Sequence, residues 1–453
     1  MMYDTSSSDT IYALSSGLPP AGVAVIRLSG PHCRFALETM KASVPEPRKA
    51  VVRKLLSSSN GSLLDEALVL YLEAPASFTG EDVIELHCHG GRAVVEAILR
   101  ELSSIDGLRL AEPGEFTKRA FYEDRINLVA VEGLSDLINA ETESQRQLAL
   151  YQTAGGLADT YDKWRAELIR LRSYLEAEFD FPDEDDVPGS VSEQVWARVQ
   201  VLADDMSQAI GDSQFAERIR DGVSMVLAGK PNAGKSSLLN VLAKRDVAIV
   251  SAQSGTTRDI LDVNLDLAGV AVRLSDTAGL RDTDDEVEKI GVERARIRLS
   301  EADLVLYLVD CHDIGDLETD ALNDLRRLET DVLVIGTKSD SLSKDELHSI
   351  RGRFNHTISS VSLEGIDELL LVLQEKAKTL TGSGESLIAV RERHRIALQG
   401  CVTCLKSAMI ERPEIELRAE ELRKAADLLA KVTGRVDVDD LLDVIFREFC
   451  IGK

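Results

Sequence analysis

Three kinds of hydrophobic patterning follow one another along this chain. Over residues 1–125 the apolar runs "GVAVIRLSG", "EALVLYLEAP" and "EDVIELHCHGG" are strand-like and bounded by Gly and Pro, while "AVVEAILRELSS" has helical spacing. From 126 to 219 the spacing becomes helical, as in "LADTYDKWRAELIRLRSYLEAEF", and the acidic, proline-containing "DFPDEDDVPGS" reads as an exposed interhelical loop. Over 220–384 the strand-like runs "GVSMVLAG", "AVRLSD", "ADLVLYLVD", "DVLVIGTKSD" and "HTISS" alternate with helical stretches. Such alternation predicts a mostly parallel sheet with helices on both faces. The polar "TGSGES" marks an exit linker, and 385–453 is helical again. The expected architecture is multidomain α/β and α+β: an N-terminal α+β domain (1–125), a discontinuous helical domain (126–219 and 385–453) and an α/β domain (220–384) inserted into it. The two helical flanks must pack together, because neither alone buries a full core.

Composition narrows the partners. The formal net charge is −26, from 52 Lys+Arg against 78 Asp+Glu, so the surface at large repels phosphate backbones. Wide non-specific nucleic-acid binding, DNA included, is not expected, although a local basic patch or a basic partner could bring RNA close. No membrane-length apolar run and no export signal are present, so a cytoplasmic protein with reduced thiols is the expectation.

The inserted domain carries the clearest chemistry. "GKPNAGKSS" (Gly229–Ser237) lies between a strand and a helix and matches G-x-x-x-x-G-K-[ST]. Its run Asn232, Ala233, Gly234, Lys235, Ser236 and Ser237 is expected to wrap the phosphates, with Lys235 as a point charge and Ser236 as a hydroxyl ligand for Mg²⁺. In "SAQSGTTRD", residues Ser251, Ala252, Gln253, Ser254, Gly255, Thr256 and Thr257 follow, with Thr257 as the second hydroxyl for Mg²⁺. "DTAGL" supplies Asp276 near the metal, then Thr277, Ala278 and the Gly279 amide facing the γ-phosphate. "TKSD" stands where GTPases carry N-K-x-D: Asp340 can accept from both N–H groups of guanine, Lys338 would lie over the ring, and Thr337 replaces the usual Asn, which predicts somewhat looser binding. Ser359 and Ser360 in "ISSVS" support the base from the other side. Together these motifs imply a Ras-like P-loop GTPase domain that transfers phosphoryl groups to water.

One position departs from Ras-type enzymes: Leu280 follows Gly279 where a glutamine would orient water. In "RDTDDEVEKIG" Glu288 is the candidate for that task; most of the run reads as a solvated switch segment. The charge of an arginine finger could come instead from a monovalent cation.

Two further groups have bland readings. Cys401 and Cys404 lie i, i+3 on a predicted helix without a second pair, so a packed core is expected rather than a metal or redox site. His87 and His89 share a strand face, but two more zinc ligands are not visible nearby.

The order "PNAGKSSLLN", "GTTRD", "DTAGLRDTDDEVEKIG", the insertion between helical flanks and the terminal "FCIGK" together resemble the bacterial tRNA-modification GTPase MnmE (TrmE) family, over essentially the whole chain. "FTGEDVIELHCHGG", "EPGEFTKRAF" and the terminal pentapeptide are its most specific parts. The resemblance implies a homodimer through the N-terminal domains, and G domains that pair when GTP and K⁺ are bound. It implies K⁺ near Asn232, Ser251, Gln253 and Thr256, with Ser251 where Thr is common, and Glu288 as the water-orienting glutamate. It further implies that the N-terminal domain binds a tetrahydrofolate derivative (5-formyl or 5,10-methylene), with Arg27, Glu85 and Arg125 at matching positions; otherwise Arg27 and Glu85 read as strand-end charges. With the flavoprotein MnmG, in a heterotetramer or larger complex, the family modifies C5 of the wobble uridine of certain tRNAs, adding carboxymethylaminomethyl or aminomethyl groups.

The tail "CIGK" is a poor prenylation box, because glycine takes an aliphatic position and lysine ends it. A catalytic Cys450 stays open, with Arg447 and Lys453 lowering its pKa only modestly. From the resemblance, Lys453 and its carboxylate reach the folate site. The competing reading is a GTP-dependent switch in ribosome assembly or signalling with no modification chemistry, which the G motifs fit equally well.

Overall fold

The computed structural model describes residues 9–180, 191–245, 247–249, 262–276, 297–313, 315, 330–382, 390–410, 415–436, 442, 445, 446, 449 and 452. The chain divides into two compact units: Met1–Ser135 with Gln152–Glu167 and Ala426–Lys453, and Asp136–Tyr151 with Leu168–Ala425.

In the first unit the strands β1 (Thr10–Leu14), β2 (Val23–Ser29), β3 (Val51–Leu56), β4 (Leu63–Leu72), β5 (Val83–His89) and β6 (Leu108–Leu110) form a sheet in the order β3-β4-β5-β2-β1-β6. All pairings are antiparallel except β1 with β6. Alternate residues point to opposite faces. Ala24, Ile26 and Leu28 of β2, Ala67, Val69 and Tyr71 of β4, and Ile84, Leu86 and Cys88 of β5 turn inward against the helices Cys33–Thr39 and Arg92–Ser103. The opposite face is only partly covered. There the helix Glu115–Tyr122 sets Phe116 against Ile11, Ala13 and Ala111, while the row Val52, Leu68, His87, Val25 lies in cross-strand register beside it. Val52 is 61% exposed and Leu68 37%, so this face is open apolar surface.

The second unit holds the strands β7 (Val223–Ala228), β8 (Asp262–Leu267), β9 (Val270–Asp276), β10 (Leu304–Asp310), β11 (Asp331–Thr337) and β12 (His356–Thr357), in the order β12-β11-β10-β7-β9-β8. Every pairing is parallel except β8 with β9. β10 reads "LVLYLVD" without alternation because both of its faces are buried: Leu304, Leu306 and Leu308 enter one core, Val305, Tyr307 and Val309 the other. Each such fully buried aliphatic contributes about 1.5–3 kcal/mol. The pattern of "HTISS" predicts a strand throughout, but β12 stops after Thr357. The Ser359 hydroxyl accepts from the amides of Val361 and Ser362, which turns the backbone away from the sheet.

Along the chain, between the two sheets, run the helices Leu128–Asn139, Glu143–Thr153, Gly156–Asp180 and Val191–Asp221, the last ending two residues beyond the expected boundary at 219; the later helical stretch contains Glu392–Met409 and Ile415–Thr433. Among the described residues no helix is long and apolar enough to cross a membrane.

Candidate functional site

The connection leaving β7 runs to β8 on one side of the sheet and that leaving its neighbour β10 runs to β11 on the other, so the carboxyl ends of β7 and β10 form the switch point where such sheets bind ligands. The Gly229–Ser237 segment occupies the β7 end. Gly229 has φ 134°, and a Cβ on it would lie 2.3 Å from the Leu308 carbonyl oxygen, so only glycine lets the loop leave the sheet here. The loop bends back through Asn232 (φ 63°) and Gly234 (φ 94°) into the helix Lys235–Leu242. Asn232, Ser236 and Ser237 are exposed, while Ala233 and Lys235 are buried. The Lys235 ammonium donates to the carbonyls of Gly229 (2.8 Å) and Lys230 (2.9 Å), which places its charge inside the loop. At the end of β9, buried Asp276 accepts a 3.1 Å bond from the Ser236 hydroxyl. These hard oxygen donors suit Mg²⁺, beside backbone amides that suit phosphate.

The segment expected to read the base follows β11. The hydroxyl of buried Thr337 donates to the Ala233 carbonyl at 2.7 Å and lies 3.2 Å from that of Val309. It thus ties the phosphate loop to the carboxyl end of β11, where Lys338 and Asp340 follow. Lys338 adopts φ 58° and pairs with Asp310 at 2.7 Å. Burial would push the Asp310 carboxyl up, but the Lys338 ammonium and the His312 amide hold it below its ordinary range. Exposed Asp340 accepts from the Ser359 hydroxyl at 2.5 Å, which orients the carboxylate; Ser360 follows, half-buried. Asp310, which anchors the Lys338 ammonium, has no signal in the sequence motif.

On the N-terminal sheet, Arg27 and Glu85 face each other in register across β2 and β5. Arg27 Nε and Nη2 both donate to Glu85 Oε1, at 3.0 and 2.9 Å, and the side chains are 25% and 16% exposed. His87, weighed above only as a zinc ligand, reaches Glu85 Oε2 at 3.2 Å. His89 turns instead to Asp65 at 2.8 Å, so the two imidazoles take different carboxylates. Arg125 is exposed beside Gly80 and forms no hydrogen bond or ion pair with Arg27 or Glu85. From the far end of the chain, Gly452 (φ 98°) lies against Leu14, where a Cβ would come within 2.1 Å of the carbonyl oxygen.

Two family models match the chain: a GTP-binding protein TrmE N-terminus over residues 10–125 and an MnmE helical domain over residues 128–450. It is 49% identical over 449 residues to the tRNA modification GTPase MnmE of Brucella anthropi, covering 99% of each chain, and 48% identical to that of Brucella ovis over the same share. The chain belongs to the tRNA modification GTPase MnmE family. Among solved structures, Aquifex aeolicus Era aligns at TM-score 0.27 and 24% identity over 42% of this chain and 68% of that one, too slight a likeness to bear on function.

The remaining expected site residues of the family lie outside the described residues: Ser251, Ala252, Gln253, Ser254, Gly255, Thr256, Thr257, Thr277, Ala278, Gly279, Glu288, Cys450 and Lys453. Cys401 and Cys404 sit on the helix Glu392–Met409, and the Cys401 thiol donates to the Ala425 carbonyl at 3.3 Å. Burial pushes the Cys401 thiol up to about 12; burial and the neighbouring Glu421 raise Cys404. Both are held as protonated packing groups. Among the described residues no cluster of three or more His, Cys, Asp or Glu could hold a metal ion.

Proposed function

We propose that this chain is a K⁺-dependent GTPase that acts with the flavoprotein MnmG, in a heterotetramer or larger complex, to modify C5 of the wobble uridine of certain tRNAs. The one-carbon unit comes from a tetrahydrofolate derivative, 5-formyl or 5,10-methylene. The product is of the carboxymethylaminomethyl or aminomethyl type. The observation that carries this reading is the Arg27–Glu85 pair, set in register on a half-open sheet face in a chain that also holds a complete phosphate loop. Arg27 offers N–H donors beside the carboxylate acceptor of Glu85. That pairing complements the 2-amino-4-oxo edge of a pterin, which presents a carbonyl next to N–H groups. A switch in ribosome assembly or signalling has no use for it.

In the nucleotide site Lys235 neutralises phosphate charge, and Ser236 and Thr257 hold Mg²⁺ beside Asp276. Asn232, Ser251, Gln253 and Thr256 hold K⁺, and Glu288 orients the attacking water. The cations supply positive charge where negative charge develops on the phosphoryl oxygens. Asp340, held by Ser359, accepts from guanine. Arg125 and Lys453 complete the folate set. The domains are 1–125, 126–219 with 385–453, and 220–384. The homodimer forms through the open sheet face that carries Val52 and Leu68, and the complex works in the cytoplasm.

The test is mass spectrometry of tRNA from cells lacking this chain. The C5 modification at the wobble uridine should disappear; tRNA that stays fully modified refutes the assignment.

A further inference from the structure

The helix Glu115–Tyr122 borders the Arg27–Glu85 pair and is held by a dense set of ion pairs. Arg119, only 11% exposed at its side chain, donates to Glu81 at 3.0 and 3.1 Å, to Asp9 at 3.2 Å and to Glu115 at 3.2 Å. Arg109 reaches Glu115 at 2.8 Å and Asp9 at 2.5 Å. Glu81 also accepts the Ser29 hydroxyl at 2.6 Å, and Ser29 lies two residues beyond Arg27 on the same strand. The network therefore locks this helix to β2 and to the segments preceding β1 and β5. Nothing in the nucleotide chemistry uses it.

Its consequence is the placement of Phe116. The ring is fully buried against Ile11 and Ala13, and Ala13 stands opposite Arg27 in the β1–β2 register. The Arg27 guanidinium carbon lies over the Phe116 ring, 5.7 Å from its centroid. With Nε and Nη2 committed to one Glu85 oxygen and the ring beneath, the group has little freedom to swing. Nη1 has no partner among the described residues.

We propose that Phe116 is a positioning residue for the Arg27–Glu85 site, holding the guanidinium so that Nη1 donates to an oxygen of the bound folate. This rests on the folate reading above. Losing such a contact leaves the guanidinium to be oriented at binding, a cost of up to about two- to five-fold in affinity. The test titrates 5-formyltetrahydrofolate into the full-length chain with Phe116, with pentafluorophenylalanine at position 116, and as Phe116→Met. Fluorination keeps a ring of nearly the same size but reverses its quadrupole, so a merely space-filling residue would not respond. Both replacements should weaken binding by about two- to five-fold, with GTP turnover unchanged as the check on folding. Equal affinity across the series overturns the proposal, as does weakening by Phe116→Met alone. Absence of binding by the unsubstituted chain overturns the folate reading itself, and the proposal with it.

Discussion

Replacing Thr337 by Val removes one hydroxyl and keeps the volume of a buried, β-branched side chain. That hydroxyl makes the 2.7 Å bond to Ala233 O and approaches Val309 O at 3.2 Å, in a residue 2% exposed. One neutral hydrogen bond contributes about 0.5–1.5 kcal/mol net, and leaving a buried carbonyl unpaired costs about 1–3 kcal/mol. The G domain should therefore lose about 1–3 kcal/mol of stability, which for its size lowers the melting temperature by about 2–4 °C per kcal/mol. The tie joins the phosphate loop to the segment proposed to read the base. Once it is cut, binding must restore their register at a cost near the same single bond. GDP and GTP should then both bind about two- to twelve-fold more weakly, with discrimination against adenine nucleotides unchanged, because Asp340 is untouched. Thr337→Ser keeps the donor and should stay near wild type. The assay is titration of a fluorescent guanine nucleotide beside a thermal melt. Wild-type affinity in Thr337→Val, or a selective loss of guanine preference, would refute the tie as the function of this threonine.

Further outcomes follow from the same geometry. GTP hydrolysis should be much faster in KCl than in NaCl, and equal turnover in the two salts removes the potassium model. Asp340 is the proposed guanine acceptor, and Asp340→Asn replaces its carboxylate by an amide, so guanosine nucleotides should bind at least tenfold more weakly while xanthosine nucleotides gain, read by competition titration. Burial would raise the Glu115 carboxyl, but hydrogen bonds from Arg109 and the Glu112 amide, with the Arg119 charge, hold it below its ordinary value. A carboxyl lowered on folding stabilises above its unfolded pKa and loses that contribution as pH falls through the folded one. Urea midpoints should therefore drop in acid below the ordinary glutamate range, and Glu115→Gln should flatten that limb. Cys401, pushed up to about 12 mainly by burial, should resist alkylation at pH 8 until the chain is unfolded, as peptide mapping would show.

The parts of this molecule that were legible in its sequence are those whose chemistry is local. Gly229–Ser237 is readable because a backbone that must curl around phosphate demands glycines at fixed spacing. β10 is readable because a strand covered on both faces has no polar positions to confuse its run. β1 and β3 leave a weaker imprint: "TIYAL" is only five residues long, and β3, at the sheet edge, mixes Arg53 and Lys54 into a short apolar segment. "HTISS" misled for the opposite reason, because its β-branched residues suit a strand while Ser359 bonds locally instead.

What remained illegible is long-range register. Arg27 and Glu85 are 58 positions apart, and each is an ordinary strand charge until β5 is laid antiparallel against β2. A slip of one residue would turn Glu85 to the helix-covered face, where an unpaired carboxylate is costly, and bring Ile84 out to the open one. Register here is enforced by Ile26, Leu28, Ile84 and Leu86, which enter one core from neighbouring strands. The apolar residues thus select the charged pair, although none of them touches a ligand. The same logic reaches the far end of the chain, where Gly452 closes on the Leu14 carbonyl beside the β1–β2 pairing that carries Arg27. The pentapeptide could be read as unusual from its composition alone. At position 452 the demand is steric: a side chain there would collide with the Leu14 carbonyl of β1, and the positive φ already favours glycine.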